Sequence, residues 1–227
     1  MPARSIASPT ARRLPAVNHA PEPPRRLRIL SQSRLNKNIF RALATALLLL
    51  AGPLLAAAAT VDERLAPCLA CHGDKGQSLI PEVPSLGAQP AFFLSVQLLM
   101  FRDKMRNVEP MTGMMQGWSD DDLRRAAVTL AKLPAPGENP SPLDTARADK
   151  ARALSQQHRC NFCHKQDFSG EENAPRLAGQ REDYLVKALR DYKNNIRRAY
   201  DASMADVLHP LTDTDFQDLA HYLSRLK

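Results

Sequence analysis

The stretch CLACHGDKGQ, residues 68–77, contains two cysteines separated by two residues and followed directly by a histidine, His72. A second stretch, CNFCHKQDFSG, begins at residue 160 and repeats this arrangement, with His164 in the place of His72. One cysteine–histidine pattern that occurs twice, with no cysteine left over, indicates one chemistry performed at two places. The two motifs contain all cysteines of the chain, namely Cys68, Cys71, Cys160 and Cys163.

Other stretches repeat in the same order, with a period of about 92 residues. PSLGAQPAFFL, which begins at Pro84, matches PRLAGQREDYL, which begins at Pro175. MTGMMQGWSDDDL, which begins at Met111, matches MADVLHPLTDTDF, which begins at Met204. The economical interpretation is two copies of one small domain.

A linker separates the two copies. LPAPGENPSP, residues 133–142, has four prolines, a glycine and no apolar periodicity. We therefore predict one domain at residues 60–133, a proline-rich linker at 134–142 and a second domain at 143–227.

Both copies are predicted to be helical. Apolar residues recur at three-to-four spacing between residues 89 and 104 and again between 184 and 192, which is typical of an amphipathic helix. No stretch alternates apolar and polar residues between hairpin turns, so we predict an all-α fold of two tandem helical domains. Each copy closes with a helix that starts in a capping box; the pairs are Ser119 with Asp122 and Thr212 with Asp215.

C-x-x-C followed at once by His is the attachment signature of c-type haem. Two thiols three residues apart lie on one side of a helical turn, where each can form a thioether with a haem vinyl group. The histidine that directly follows the second cysteine reaches the iron as an axial ligand, which predicts this role for His72 and His164. Three alternatives compete. One is a zinc site, although the cysteine pairs are far apart for it. The others are two structural disulfides and a thioredoxin-like redox pair.

The sixth iron ligand separates electron transfer from catalysis, because a haem with an open position can bind and activate small molecules. The repeat selects one methionine in each copy. Met111 lies 39 residues after His72, and Met204 lies 40 residues after His164. The other candidates in the first copy are Met114, the main rival, Met115, and Met100 and Met105, which are predicted to pack within a helix.

An axial histidine usually donates its other ring N–H to a carbonyl, which fixes the orientation of the ring. Pro84 and Pro175, at matched positions after the two motifs, are the candidates to present that carbonyl; the alternative is that they only stiffen their loops. Structural roles are predicted for the remaining residues considered, Trp118 and Leu211 in the core and His158, His209 and His221 in packing or at the surface.

The formal net charge of +7 comes from the N-terminal segment. Residues 1–59 carry nine basic residues and one acidic residue, whereas the rest of the chain carries 22 basic and 23 acidic ones. The functional body is therefore near neutral, which excludes nucleic acid as a partner.

The same segment is predicted to direct export. Within residues 34–59, basic residues precede an apolar run that ends in small residues, which is typical of a signal peptide or an N-terminal anchor. Residues 1–33 are interpreted as a disordered or mis-assigned extension. Export to the periplasm fits haem attachment, which takes place outside the cytoplasm, and a retained anchor would associate the protein with the membrane.

Taken together, these motifs resemble the dihaem cytochromes c of the cytochrome c4 type, from about Thr60 to the end of the chain. The likeness lies in CLACHGDKGQS, PSLGAQPAFFLSVQL and MTGMMQGWSDDDL in the first copy and in CNFCH, PRLAGQREDYLVKALRDY and MADVLHPLTDTDFQDLAHYL in the second. The resemblance implies tandem cytochrome c-like domains related by a pseudo-twofold, each around one covalently bound haem c. Its implied ligands are thioethers at Cys68, Cys71, Cys160 and Cys163, and axial His72 with Met111 and His164 with Met204.

The resemblance also implies a function. Such a protein relays single electrons in the periplasm from a respiratory donor, a quinol–cytochrome c reductase or a dehydrogenase, to a terminal oxidase or another acceptor, and performs no catalysis itself. The alternative is a haem subunit of a dehydrogenase complex, or a dihaem peroxidase with one open haem. The peroxidase requires one haem without a methionine ligand.

Two features depart from the family's pattern. Only TVDERLAP lies between the predicted leader and Cys68, and Pro67 predicts that no full helix forms there. The closing helix of the first copy also lacks an aromatic residue at the position of Tyr222. We therefore expect the first domain to be the less stable one, with the more exposed haem.

Overall fold

The computed structural model describes residues 61–137, 139–197 and 203–227, which belong to one compact unit. The predicted extension at 1–33 and the predicted signal peptide or anchor at 34–59 lie outside the described residues. No helix in the described part of the chain has the length and apolar character needed to cross a membrane.

The described chain is helical, which confirms the predicted all-α fold. The only β feature in residues 61–137, 139–197 and 203–227 is an isolated bridge between Glu171 and Ala174. The helices of the first half are α1 (Val61–His72), α2 (Ala91–Arg102), α3 (Met111–Met114) and α4 (Asp120–Ala131). Those of the second half are α5 (Thr145–Gln157), α6 (Cys160–His164), α7 (Glu182–Lys193), α8 (Ser203–Leu208) and α9 (Asp213–Leu223).

The two halves repeat each other in backbone conformation as well as in sequence. The residue directly after each motif histidine has a positive φ, 83° at Gly73 and 66° at Lys165. Three matched pairs further along the chain also have a positive φ: Gly76 with Phe168, Ala88 with Gly179 and Lys104 with Asn195. Because left-handed backbone is uncommon outside glycine, its recurrence at these matched positions shows that both copies follow the same backbone path there.

Each half has its own hydrophobic core. In the first half α4 packs against α1 and α2, and in the second α9 packs against α5 and α7. Trp118 and Leu211 are buried at matched positions, as predicted. The capping boxes predicted for α4 and α9 are both present. The exact domain boundaries stay a prediction.

The expectation that Pro67 prevents a helix is wrong, because Pro67 lies inside α1. Pro67 itself is exposed, while its neighbours Leu65 and Cys68 are buried in the first core. Arg64 ties the same turn to α4 through a 3.0 Å ion pair with Asp122. The burial of Leu65 and Cys68 and the Arg64–Asp122 ion pair therefore offset the free-energy cost of the backbone hydrogen bond that proline cannot make.

Two smaller expectations have different outcomes. Met100 is buried, as predicted for helix packing, but Met105 is 61% exposed and packs against neither core. Met105 follows the end of α2 rather than lying within it, so the apolar face of that helix does not extend to it.

Ala88 provides a test of the repeated backbone path. Its φ of 52° is unfavourable for an L-residue, whereas the matched Gly179 adopts 72° without a side chain. We expect Ala88→Gly to raise the free energy of unfolding of the haem-loaded protein by about 0.5–1 kcal/mol, and Gly179→Ala to lower it by at least about 1 kcal/mol. Denaturant unfolding measures both.

Ala153, an exposed residue within α5, is the matched control. Ala153→Gly should lower the free energy of unfolding by about 1 kcal/mol, because glycine weakens a helix interior. A loss of similar size for Ala88→Gly would contradict the repeated path.

Candidate haem sites

A cavity of ≈ 410 Å³ lies in the second half. All four residues predicted there as haem ligands border it: Cys160, Cys163, His164 and Met204. Apolar side chains from α7, α8 and α9 complete the walls, among them Leu189, Val207 and Leu219. The structure thus brings together two thiols, an imidazole and a thioether around an apolar space of the size that binds a cofactor.

The histidine of this motif is oriented by a loop carbonyl. His164 is buried, and its Nδ1 lies 2.8 Å from the carbonyl oxygen of Pro175. A carbonyl can only accept, so Nδ1 carries the hydrogen and Nε2 keeps the lone pair that binds a metal. The interpretation of Pro175 as the presenter of that carbonyl is confirmed.

The first half repeats this arrangement. His72 is buried, with Nδ1 2.7 Å from the carbonyl oxygen of Pro84, so the prediction for Pro84 is confirmed too. Cys68 is buried in the first core, whereas Cys71 is exposed. Cys71 has a further anchor, because its carbonyl accepts a 3.1 Å hydrogen bond from the hydroxyl of Ser78.

Burial sets the protonation of both motifs. It lowers the pKa of His72 and of His164, although the hydrogen bonds to the proline carbonyls partly oppose this. Both rings are therefore neutral near pH 7, which is the form that binds a metal. Burial also raises the pKa of Cys68 and Cys160, so these thiols are protonated at neutral pH.

The predicted methionines occupy matched short helices. Met111 begins α3 and packs, half-buried, against the first core, while Met204 lies in the first turn of α8. The register of the two helices agrees one turn later, where Met115 and Leu208 are both buried. In that register Met114 corresponds to Val207 rather than to Met204. The choice of Met111 over Met114 as a ligand stays a prediction.

Two arginines that sequence reasoning missed lie where the halves meet. Arg106 donates to the Gln97 side-chain oxygen at 2.7 Å, and Arg197 donates to the same oxygen at 3.1 Å. Arg197 also donates to the Tyr184 hydroxyl at 2.9 Å. The Nε of each arginine is buried without a hydrogen-bond partner among the described residues. The sequence signal was their spacing, since each follows the repeated glutamine, Gln89 or Gln180, by 17 residues.

This arginine pair places two positive charges on Gln97, a residue of the cavity wall. Burial alone would raise the pKa of Tyr184, but Arg197 and Arg106 lower it to about 8. Burial and the charge of Arg197 lower the pKa of Arg106. Gln97, which binds both guanidinium groups, itself lines the cavity. Buried N–H groups without partners, on arginines that bind a residue of an apolar cavity wall, fit a ligand that is apolar at its centre and anionic at its edge, as haem is with its propionates.

The competing uses of the cysteines find less support. All four cysteines are free thiols, so the structure forms neither of the structural disulfides considered. In the described ranges no group of three or more His, Cys, Asp or Glu side chains could hold a metal ion such as zinc. Among the other histidines in the described part of the chain, His221 is buried in packing, His209 is exposed, and His158 borders the cavity.

Comparisons with known proteins give the same result. A sequence model of the family described as cytochrome c matches residues 148–227. Cytochrome c4 of Azotobacter vinelandii is 30% identical over 186 residues, which cover 74% of this chain and 89% of that one. The thiosulfate dehydrogenase electron acceptor of Thiomonas intermedia is 31% identical over 177 residues, covering 73% and 81% of the two chains. Reduced cytochrome c4 from Pseudomonas stutzeri has a TM-score of 0.66 at 27% identity, covering 75% of this chain and 100% of that one.

A neutral histidine that presents Nε2 beside two thiols of the same helical turn is the means by which proteins hold haem c, and it occurs here once in each half. The fold and the sites therefore define a c-type cytochrome. Similarity of about 30% over most of both chains goes further than a shared fold, and the chain belongs to the cytochrome c4 family. It is an electron-transfer protein with two covalently bound haem c groups.

The arginine pair gives a prediction about redox potential. Oxidised iron carries one more positive charge than reduced iron, so a nearby guanidinium favours the reduced form. We expect Arg197→Gln to lower the potential of the second haem by roughly 60 mV, which is a tenfold change in its redox equilibrium. Spectroelectrochemical titration measures it.

Arg190, an exposed arginine of α7 paired with Asp213, is the control. Arg190→Gln should leave both potentials nearly unchanged, because solvent screens an exposed charge. Equal shifts in the two variants would show that the position of the charge beside the cavity does not matter.

Proposed function

We propose that the protein relays single electrons between redox partners through two six-coordinate haem c sites, one in residues 60–133 and one in residues 143–227. The axial pairs are His72 with Met111 and His164 with Met204. The observation that carries this proposal is the cavity bordered at once by Cys160, Cys163, His164 and Met204. The matched motif, proline carbonyl and methionine support the same assignment in the first half.

Haem c, once bound, supplies an iron that gains and loses one electron without making or breaking a bond. The chain's residues prepare a site for that exchange. The two histidines are neutral, buried and oriented. A methionine that bound the iron together with each histidine would fill the position that small molecules could otherwise take, which favours a carrier over an enzyme. The buried Nε–H groups of Arg106 and Arg197, which have no partner among the described residues, would suit an anionic group such as a propionate carboxylate.

The exposed cysteines supply a point of electron entry. Cys71 and Cys163 are exposed, whereas Cys68 is buried and Cys160 half-buried. A haem bonded to either motif would lie nearest the surface at its exposed cysteine, where a redox partner could approach it. The near-neutral body has no strongly charged stripe to bind nucleic acid.

We assign the protein to the periplasm, with a quinol–cytochrome c reductase or a dehydrogenase as donor and a terminal oxidase as acceptor. The basic and apolar pattern of residues 34–59 supports export, and attachment of haem c outside the cytoplasm requires it. If the segment is not cleaved, it tethers the carrier to the membrane.

A haem subunit of a dehydrogenase complex is the second candidate, and one observation bears on it. The relative from Thiomonas intermedia is named an electron acceptor of thiosulfate dehydrogenase. By that analogy this chain would accept electrons from an enzyme that oxidises a small molecule, as a separate carrier or as a haem subunit of the complex. Co-purification with a catalytic subunit would distinguish the subunit from the free carrier.

The axial methionines are tested by the near-infrared charge-transfer band that oxidised haem shows when methionine sulfur binds the iron. We expect the purified protein to show this band at the intensity that corresponds to methionine ligation of both haems. Met111→Leu and Met204→Leu should each remove half of it, because leucine has the size but not the sulfur. Haem content is measured in parallel.

Met114→Leu is the matched control and should keep the full band. Loss of half the band in Met114→Leu, with none in Met111→Leu, would move the first site's ligand to Met114. A wild-type band worth only one site would instead favour the peroxidase, which needs one open haem.

A further inference from the structure

The two halves are joined by a pair of glutamines that bind backbone in the opposite half. Gln180, at the start of α7, accepts a 2.8 Å hydrogen bond from the backbone N–H of Ser85 and donates a 2.9 Å bond to the backbone carbonyl of Ser85. Both residues are buried, at 3% exposure each. This is a two-point attachment of the second half to the first.

The reverse attachment has the same form. Gln89, at the start of α2, accepts a 3.0 Å hydrogen bond from the backbone N–H of Arg176 and donates a 2.9 Å bond to the backbone carbonyl of Arg176. Gln89 is buried as well. Gln89 and Gln180 are the matched last residues of PSLGAQ and PRLAGQ, so the pair obeys the repeat.

The residues they bind are next to the axial-histidine carbonyls. Ser85 follows Pro84, and the carbonyl of Pro84 belongs to the same peptide group as the N–H of Ser85. In a trans peptide that C=O and N–H point in opposite directions. One peptide group therefore accepts from His72 on one side and donates to Gln180 on the other. The peptide group between Pro175 and Arg176 links His164 to Gln89 in the same way.

Hydrogen bonds in such a chain polarise one another. When Gln180 accepts the Ser85 N–H, the carbonyl of that peptide becomes a stronger acceptor for the Nδ1–H of His72. A stronger bond at Nδ1 makes Nε2 more electron-rich, and an electron-rich histidine stabilises oxidised iron. It also fixes the angle of the ring.

We propose that Gln180 and Gln89 are positioning residues for the axial histidine of the opposite half, so that Gln180 tunes the first haem through His72 and Gln89 tunes the second through His164. The inference rests on the proposed ligation by the two histidines. Each redox site is thereby completed by both halves of the chain, and separation of the halves changes both potentials.

A second contact strengthens only the first site. Arg181, next to Gln180, donates a 3.1 Å hydrogen bond to the carbonyl of Ser78, whose hydroxyl holds the carbonyl of Cys71. The matched residue in the first half is Pro90, which has no such side chain. The second half is therefore hydrogen-bonded to the chain that follows the first motif at two points, Ser78 and Ser85.

The test is a crosswise shift of potentials in the haem-loaded full chain. Gln180→Leu removes the acceptor for the Ser85 N–H while keeping a similar size. It should change the redox equilibrium constant of the first haem about threefold or more towards the reduced form, which raises its potential by about 28 mV or more. The potential of the second haem should stay nearly unchanged. Gln89→Leu should do the reverse. Met111→Leu and Met204→Leu assign each potential to its site.

Two further readouts separate positioning from simple loss of structure. Hydrogen exchange at the Ser85 amide, and the NMR signal of the His72 Nδ1 proton, should change in Gln180→Leu but not in Gln89→Leu. Gln77→Leu is the matched control, because Gln77 makes the same kind of two-point attachment to linker backbone at Ala135 and Gly137. Gln77→Leu should leave the potentials of both haems nearly unchanged. If Gln180→Leu fails to fold, Gln180→Glu keeps an acceptor for Ser85 and should lower the first potential more than the second.

The outcomes are distinct from those of the proposed function. A wild-type protein that lacks two histidine–methionine sites overturns the ligation itself. A wild-type protein with both sites, in which Gln180→Leu shifts only the second haem, shifts both equally or shifts neither, overturns the crosswise tuning alone.

Discussion

The hydrogen bond from the motif histidine to a proline carbonyl is the interaction on which the rest of the structure depends. It decides which ring nitrogen carries the hydrogen, and so leaves Nε2 of His72 and of His164 free to bind iron. In the second half, one cavity is bordered by the fixed ring of His164, by the two thiols of the same helical turn and by Met204 on its own short helix. The left-handed residue after each histidine starts the loop that brings the proline back.

The interface between the halves contains buried polar side chains from both of them. Gln89 and Gln180 satisfy backbone groups across it, whereas Arg106 and Arg197 bring two positive charges together around Gln97. Buried like charges without full hydrogen bonding are costly unless an anion joins them. Assembly of the two halves and occupation of the haem sites are therefore expected to be coupled, in the way that metal sites couple binding to folding.

The sequence was most informative where a local rule applies. Helical periodicity, the capping boxes at Ser119 and Thr212, and the placing of Pro84 and Pro175 all follow from residues close in the chain or from the repeat. The rule that proline ends a helix failed at Pro67, because burial of its neighbours decides that turn. Arg106 and Arg197 were missed because their role arises only when the halves meet, and polar side chains give no apolar period to detect.

Anomalous diffraction at the iron edge from crystals of the mature haem-loaded protein tests the central claim, one histidine–methionine site in each half, most directly. It should locate two iron atoms, one bonded to Nε2 of His72 and Sδ of Met111 and the other to Nε2 of His164 and Sδ of Met204. A single iron, or an iron whose sixth position is open or filled by another residue, would contradict the account.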